Sequence, residues 1–153
     1  MAERSIGPQE AVDGELKLEL AARLPEIARL VEAFEAFADR LGFPADAALQ
    51  VTLVLDELVT NIVTYGVRPD ETAPITVQLS YAGGVLKIVL SDPGRPFDPR
   101  TVKAPDTTAS LEDRQIGGLG VHIARAYMDS LDYRYDGGKN HLTLVRRIGG
   151  GAA

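Results

Sequence analysis

The spacing of apolar residues changes several times along this chain, and the order of those changes constrains the fold most strongly. Leucines alternate with charged residues over positions 15–20, which predicts a strand. Helical spacing follows over residues 25–41, ended by Gly42, and again over residues 46–65, ended by Gly66. The sequence therefore predicts a strand and then two helices, with Asp46 capping the second helix.

The second half of the chain contains two hairpin patterns. Residues 75–81 and 85–91 are strand-like on either side of Gly83-Gly84, and residues 130–135 and 141–147 flank Gly137-Gly138 in the same way. A third helix is predicted over residues 121–128, between the hairpins. The order β-α-α-β-β-α-β-β predicts an α+β fold, a two-layer sandwich with helices on one face of a mixed, mostly antiparallel sheet.

Composition limits the classes of protein to which the chain can belong. Its 153 residues suit one domain, which we place at residues 15–147 with flexible termini at 1–14 and 148–153. The net charge of −6 argues against direct nucleic-acid binding, and the absence of cysteine excludes disulfides and thiolate chemistry. No apolar run reaches the roughly 20 residues of a membrane span, and the polar start has no signal-peptide core, so we expect a cytoplasmic protein without membrane contact.

One long segment lacks periodicity. Residues 93–116 hold four of the nine prolines and are mostly polar. Loops of this length within a compact domain are usually lids or binding loops. We therefore predict a lid at about residues 93–116.

Glu57 and Asn61 stand four residues apart in the second predicted helix, so they share one face at the border of its apolar stripe. An amide oxygen is a suitable ligand for Mg²⁺, and a carboxylate can orient or deprotonate an attacking hydroxyl. This pair is a candidate metal-phosphate site. The same spacing is also typical of a solvated polar pair on a helix surface.

Asp92 ends an apolar strand, and strand parity places it on the face of Leu86, Ile88 and Leu90. A carboxylate on that core face needs a hydrogen-bonding partner. An adenine amine would be such a partner, with Gly94 allowing the ring to approach the backbone. An ordinary Asp-Pro-Gly turn is the alternative interpretation.

A glycine-rich string, Gly117-Gly118-Leu119-Gly120, leads into the third predicted helix. Free amides at a helix start can bind phosphate. No Lys-Ser/Thr pair follows and no strand precedes the string, which excludes the P-loop and the dinucleotide-binding turn. A hinge for the lid would explain the glycines equally well.

Taken together, these segments resemble the signature of the GHKL, or Bergerat-fold, ATPases, and the resemblance spans residues 15–147. The strings that carry it are DELVTNIVTYG, DPGRPFDP, GGLGVHIARAYMDSLDY and GKNHLTLVRR, which begin at residues 56, 92, 117 and 138. Within that group, the chain most resembles the small anti-sigma-factor serine/threonine kinases. Their domain is similar to the ATPase domain of histidine kinases. The resemblance implies ATP and Mg²⁺ as ligands.

The resemblance also implies residue roles. Glu57 would be the catalytic base or hydroxyl-orienting carboxylate, and Asn61 the Mg²⁺ ligand. Asp92 would accept from the adenine amine, with Gly94 beside the purine. The ATP-binding set would be completed by the lid hinge Gly117, by Gly118, Leu119 and Gly120 at the phosphates, and by Thr143 near the adenine. Arg114 would either reach the γ-phosphate or be solvated.

The resemblance implies a kinase and anti-sigma factor that phosphorylates an anti-anti-sigma partner of the STAS type and binds a sigma factor. Members commonly form homodimers through the sheet edge and first helix, and the strand at residues 15–20 is compatible with one. Two alternatives are a nucleotide-dependent module that sequesters its partner with little kinase activity, and the detached ATPase domain of a two-component histidine kinase. Pro96 departs from the family's further glycine. No helix with a phospho-accepting histidine precedes the domain, which disfavours an intact sensor kinase.

Overall fold

The computed structural model describes residues 13–68, 70–101 and 118–148. Three helices lie on one face of a five-stranded sheet, in the predicted order of elements. The strands are β1 (Gly14–Leu20), β2 (Ile75–Ala82), β3 (Val85–Asp92), β4 (Ser130–Asp136) and β5 (Lys139–Arg147). The helices are α1 (Pro25–Arg40), α2 (Ala45–Asn61) and α3 (Gly118–Tyr127), with a π-helical turn at Ile62–Gly66 and a 3₁₀ turn at Pro99–Thr101.

The sheet order is β1-β2-β3-β5-β4, and every pairing between these strands is antiparallel. This confirms the α+β sandwich and corrects the expected mixed sheet to an antiparallel one. Both hairpins turn through glycine pairs with positive φ, Gly83-Gly84 and Gly137-Gly138. Two successive residues with positive φ match the twist of the flanking strands, which is why glycine is favoured at both positions.

The core lies between the helices and the sheet face that they cover. Alternate residues of β2, β3 and β5 are buried there, which is the period expected for a sheet with one covered face. They pack with the apolar stripes of α1 and α2, whose fully buried members include Phe34, Val51 and Leu55. The same period fixes which polar side chains at the strand ends reach the helix side.

Helix α2 differs from the prediction at both ends. It begins at Ala45 after Pro44, so Asp46 lies inside the first turn, where its carboxylate accepts a hydrogen bond from the Ala47 N–H at 2.8 Å. At the other end the last turn is π-helical, and the Val67 N–H donates to the Ile62 carbonyl at 3.1 Å. This wider turn brings the Gly66 carbonyl to the loop that follows β3.

By length and composition, the continuous helix Ala45–Gly66 is long and apolar enough to cross a membrane, with a mean hydropathy of 1.3. The core helix of a globular fold meets the same criterion. Six residues of α2 are buried against the rest of this domain, which is the packing expected of a core helix.

Candidate functional site

A cleft of about 570 Å³ lies between α2, α3 and the end of the sheet formed by β3 and β5. Its walls are largely apolar, with Leu58, Ile62, Leu90, Val121 and Leu142 among them. Clefts of this size with apolar walls and a few polar groups are typical binding sites for small molecules. The polar residues Asn61, Asp92 and Asn140 also line it.

Asp92 is the last residue of β3 and is only 7% exposed. It shares the covered face with Leu86, Ile88 and Leu90, as strand parity predicts. Its Oδ1 atom accepts hydrogen bonds from the Gly94 N–H at 2.9 Å and from the Asn140 side-chain amide at 3.1 Å. Burial raises the pKa of this carboxyl above its ordinary value, and the two hydrogen bonds lower it by a smaller amount.

The second oxygen of Asp92, Oδ2, has no hydrogen-bond donor among residues 13–68, 70–101 and 118–148. A buried carboxylate oxygen without a donor is costly, so such atoms are normally satisfied by water or a ligand. Because Asp92 lines the cleft, a ligand that presents an N–H group there would complete it. The exocyclic amine of adenine has this chemistry.

Asn140 is a site residue that the sequence analysis missed. It is 7% exposed, and its amide donates to the Arg95 carbonyl at 2.9 Å as well as to Asp92. Its own carbonyl oxygen accepts from the Phe97 N–H at 3.0 Å and from the Tyr133 hydroxyl. Asn140 therefore fixes both the Asp92 carboxylate and the first residues of the loop after β3.

The structure does not bring Thr143 to this cleft, which corrects the expectation that it lies near the adenine. Leu142 and Leu144 are buried on the covered face of β5, so Thr143 between them points to the open face. The same alternation carries Asn140 inward. Counting in steps of two from the two leucines would have identified Asn140 from the sequence.

Gly94 lies against the backbone at the end of the π-helical turn. A Cβ atom added at this position would stand 2.3 Å from the Gly66 carbonyl oxygen and 2.8 Å from Oδ1 of Asp92. Both distances are far below van der Waals contact. The close approach of the Gly66 backbone is therefore enough to require glycine at position 94. Contact of Gly94 with a purine stays a prediction.

At the other end of the cleft, the structure brings together Asn61, Glu57 and the first turn of α3. A Cβ atom added to Gly120 would lie 2.5 Å from the Asn61 Nδ2 atom and 3.5 Å from the Glu57 backbone carbonyl oxygen. Both side chains are half-buried, and Asn61 lines the cleft. Neither side chain forms a hydrogen bond with any residue that the structure describes, and Glu57 lies beside the cleft rather than among the residues that line it.

The glycine string falls partly outside the described residues. Helix α3 begins at Gly118, earlier than predicted, so Gly118, Leu119 and Gly120 form its first turn. Gly117 and Arg114 lie outside the described residues, as does most of the predicted lid. The lid residues that are described, 93–101, border the cleft through Arg95, Phe97 and their neighbours.

The two histidines do not line the cleft. His122 is exposed on α3. His141 lies on the open face of the sheet, where Nδ1 is 2.9 Å from the Ser91 hydroxyl and Nε2 is 3.1 Å from the Asp136 carbonyl oxygen. Neither histidine is therefore placed to act on a ligand in this cleft.

Comparison with known proteins places this geometry in context. The family model described as the histidine kinase-like ATPase domain matches residues 20–146. The chain is 33% identical to the serine/threonine-protein kinase BtrW of Bordetella bronchiseptica over 72% of this chain and 78% of that protein. It is 30% identical to the serine-protein kinase RsbW of Listeria monocytogenes, over 80% of this chain and 81% of that protein.

A solved structure shares the fold. It contains the RsbU and RsbW domains of Rv1364c from Mycobacterium tuberculosis, and it matches with a TM-score of 0.66 at 18% sequence identity. The match covers 88% of this chain and 32% of that longer chain. The family model covers most of the domain, and the two kinase relatives agree with it. This chain therefore belongs to the family of histidine kinase-like ATPase domains, in the group of the RsbW-type serine kinases.

Proposed function

We propose that this protein is an ATP-dependent serine/threonine kinase and anti-sigma factor that phosphorylates an anti-anti-sigma partner of the STAS type. The similarity to relatives named serine-protein kinases supports the phosphotransferase activity. The same proposal includes a sigma factor as a second partner, a homodimer and a cytoplasmic location. It also places the ATPase domain at residues 15–147 and its lid at about residues 93–116, with the hinge at Gly117.

The observation that carries nucleotide binding is the Oδ2 atom of Asp92, which has no donor among the described residues and belongs to a side chain that lines an apolar cleft. Adenine is flat and largely apolar, and its amine would donate to this oxygen while its faces contact residues such as Ile62 and Leu90. The triphosphate would extend toward Asn61 and the first turn of α3, including Gly118, Leu119 and Gly120. Helix N-termini favour phosphate groups through free amides and the helix dipole.

Asn61 would supply an amide oxygen to Mg²⁺, whose charge offsets that of the phosphates. No group of three or more His, Cys, Asp or Glu side chains converges on a metal site among the described residues. The remaining ligands would therefore come from the triphosphate and water, the usual arrangement for Mg²⁺ in kinases.

Glu57 would hold the acceptor hydroxyl of the partner and take up its proton as the oxygen attacks the γ-phosphorus, while the bond from that phosphorus to the bridging oxygen breaks and ADP leaves. It stands one helical turn before Asn61, so the hydroxyl would be presented beside the phosphates. Phosphoryl transfer depends mainly on positioning and on charge stabilisation, which a carboxylate and an amide on one rigid helix can provide.

Nucleotide binding is tested first by thermal unfolding with and without Mg-ATP. Ligand at about one hundred times its dissociation constant adds about 2.7 kcal/mol to the free energy of unfolding. For a domain of this size each kcal/mol raises the midpoint by about 2–4 °C. Asn61→Ala should lose the Mg²⁺-dependent part of the shift, and no shift in the unmodified protein would contradict ATP binding.

The kinase activity is tested by transfer of labelled γ-phosphate to purified STAS-domain proteins of the source organism. We expect an acid-stable phosphoryl group on serine or threonine. An acid-labile product would point instead to a histidine acceptor and a detached two-component kinase domain. Tight ATP-dependent binding without transfer would favour a sequestering module.

A further inference from the structure

The outer face of α2 exposes two leucines that the core does not use. Leu49 is 60% exposed and Leu53 is 39% exposed, although both lie in a helix whose other apolar residues are largely buried. They are four residues apart, so they are neighbours on one face. We call this pair the α2 ridge.

The α2 ridge leads directly to the proposed catalytic carboxylate. Glu57 follows Leu53 by the same four residues, so Leu53 and Leu49 lie about 6 and 12 Å before it along the helix axis. Each step of four residues also turns the direction of the side chain by about 40°. The three residues thus form one gently winding row from exposed leucine to half-buried glutamate.

We propose that the α2 ridge is the docking surface for the protein substrate whose hydroxyl is phosphorylated. This inference rests on the proposed kinase function. A folded acceptor that brings a hydroxyl to Glu57 covers about 800 Å² of the kinase in a standard interface, a patch roughly 28 Å across. Such a patch around Glu57 includes both leucines.

The geometry also decides between a protein substrate and a second copy of this chain. A second copy seated on Leu49 and Leu53 would cover the approach to Glu57 and exclude any acceptor protein from it. Two exposed leucines near one end of such a patch suit a transient enzyme-substrate contact, whereas stable homodimers bury larger and more apolar surfaces. The occupant is therefore the acceptor.

Carboxylates flank the α2 ridge on the same outward face. Asp46 is exposed one turn before Leu49, and Asp56, one turn after Leu53, accepts a hydrogen bond from the Thr60 hydroxyl at 3.1 Å. The matching surface on the acceptor is accordingly apolar with lysine or arginine at its border. Such a border would make docking weaker as salt concentration rises.

The experiment compares the unmodified chain with the double variant Leu49→Gln/Leu53→Gln, in steady-state phosphorylation of the best STAS-domain acceptor from the source organism. Glutamine keeps the length and helix propensity of leucine, so the exposed positions of α2 should stay folded. Leu24→Gln is the matched control, because Leu24 is 55% exposed but precedes α1 rather than lying on the ridge. Leu53→Met keeps the side chain apolar and should behave like the unmodified protein.

We expect the double variant to raise KM for the acceptor about tenfold, while kcat and KM for ATP stay unchanged and the Leu24→Gln control behaves normally. Equal KM values for the unmodified chain and the double variant would overturn the proposed docking surface but not the kinase function. A loss of kcat or of ATP affinity would also overturn it, because the ridge would then support the fold or the site. If the unmodified chain phosphorylates no acceptor, the kinase proposal fails and this inference fails with it.

Discussion

The two ends of the cleft are built in opposite ways. At the Asp92 end, Asp92 and Asn140 are each 7% exposed and are held by hydrogen bonds to three residues of the loop after β3, Gly94, Arg95 and Phe97. At the Asn61 end, the side chains of Asn61 and Glu57 are half-buried and form no hydrogen bond within the described parts of the chain. One end is fixed by the protein, and the other is open to a ligand.

The difference corresponds to what each end would recognise. A purine is rigid and neutral, so it is recognised best by a preorganised site with a donor or acceptor already in place. A triphosphate with a metal ion carries its own charge and brings its own ligands, so the protein need supply only a few mobile polar groups. The predictions below test this contrast, starting with the largest expected effect.

Glu57→Gln should separate chemistry from binding at the Asn61 end. Removing a general base typically costs about 10²–10⁴-fold in rate, so acceptor phosphorylation should fall by that amount. The affinity for Mg-ATP should change by less than about twofold, because glutamine keeps the shape of the side chain. Single-turnover transfer and ATP titration measure the two effects. Undiminished transfer would remove Glu57 from the catalytic role.

Asp92→Asn should weaken nucleotide binding at the Asp92 end. A hydrogen bond to a charged group contributes about 1.5–3 kcal/mol, so the dissociation constant for ATP should rise by about 10- to 150-fold. The affinity for Mg²⁺-triphosphate without a base should not change. Competition against a fluorescent nucleotide measures the affinities for ATP and for inorganic triphosphate. Equal losses of affinity for both ligands would contradict a role for Asp92 in binding the base.

Asn140→Ala should cost more stability than any polar substitution on the open face of the sheet. Truncation leaves the Phe97 N–H without one of its acceptors and removes a donor from the buried Asp92 carboxylate, at a cost of about 1–3 kcal/mol in the free energy of unfolding. Thr143→Ala on the same strand is the control and should stay within about 0.5 kcal/mol. Urea denaturation measures both. Similar values would mean that the hydrogen-bond network contributes little.

Two glycine-to-alanine variants should show which end is rigid. Gly94→Ala places a methyl group against the Gly66 backbone and should destabilise the fold by about 1–3 kcal/mol. Gly120→Ala meets the far end of the Asn61 side chain, which can rotate, so the loss should stay below about 1 kcal/mol while Mg²⁺-dependent ATP binding falls. Thermal unfolding without nucleotide measures the loss of stability in each variant. A larger loss for Gly120→Ala than for Gly94→Ala would contradict the contrast between the two ends of the cleft.

The pH dependence of stability should carry a contribution from Asp92. Because burial raises the pKa of this carboxyl in the folded state, folding takes up a proton at pH values between the unfolded and folded pKa. Its stabilising contribution is present below the unfolded pKa and is lost as the pH rises through the folded pKa. Relative to Asp92→Asn, the unmodified protein should therefore lose unfolding free energy as the pH rises above the ordinary pKa of aspartate. Parallel pH profiles for the two proteins would contradict the raised pKa.

Much of the fold could be predicted from local patterns. The alternating leucines of β1, the glycine pairs in the hairpins and the helical spacing of α1 and α2 each reflect a period that the backbone imposes. Asp92 was assigned to the covered face by the same parity. The N-terminal cap of α2 was misplaced by two residues, at Asp46 instead of Pro44, because an aspartate is acceptable both as a cap and inside the first turn.

The site was predicted less completely, for a physical reason. Thr143 was selected by resemblance although the parity of β5 points it outward, and Asn140 was missed although the same parity points it inward. The importance of Asn140 comes from loop residues more than forty positions away in the chain. A pattern within one strand carries no information on such partners.

The sequence by itself determined the order of elements, the covered face of β3 and the family, because all three depend on residue types at fixed local spacing. Only the tertiary structure decided that Gly94 must be glycine to pass the Gly66 carbonyl, that Gly120 packs on Asn61, and that one oxygen of Asp92 has no protein donor among the described residues. These facts depend on distances between segments far apart in the chain. Such distances are set by the packing of α2, α3 and the sheet around one core, and no single segment encodes them.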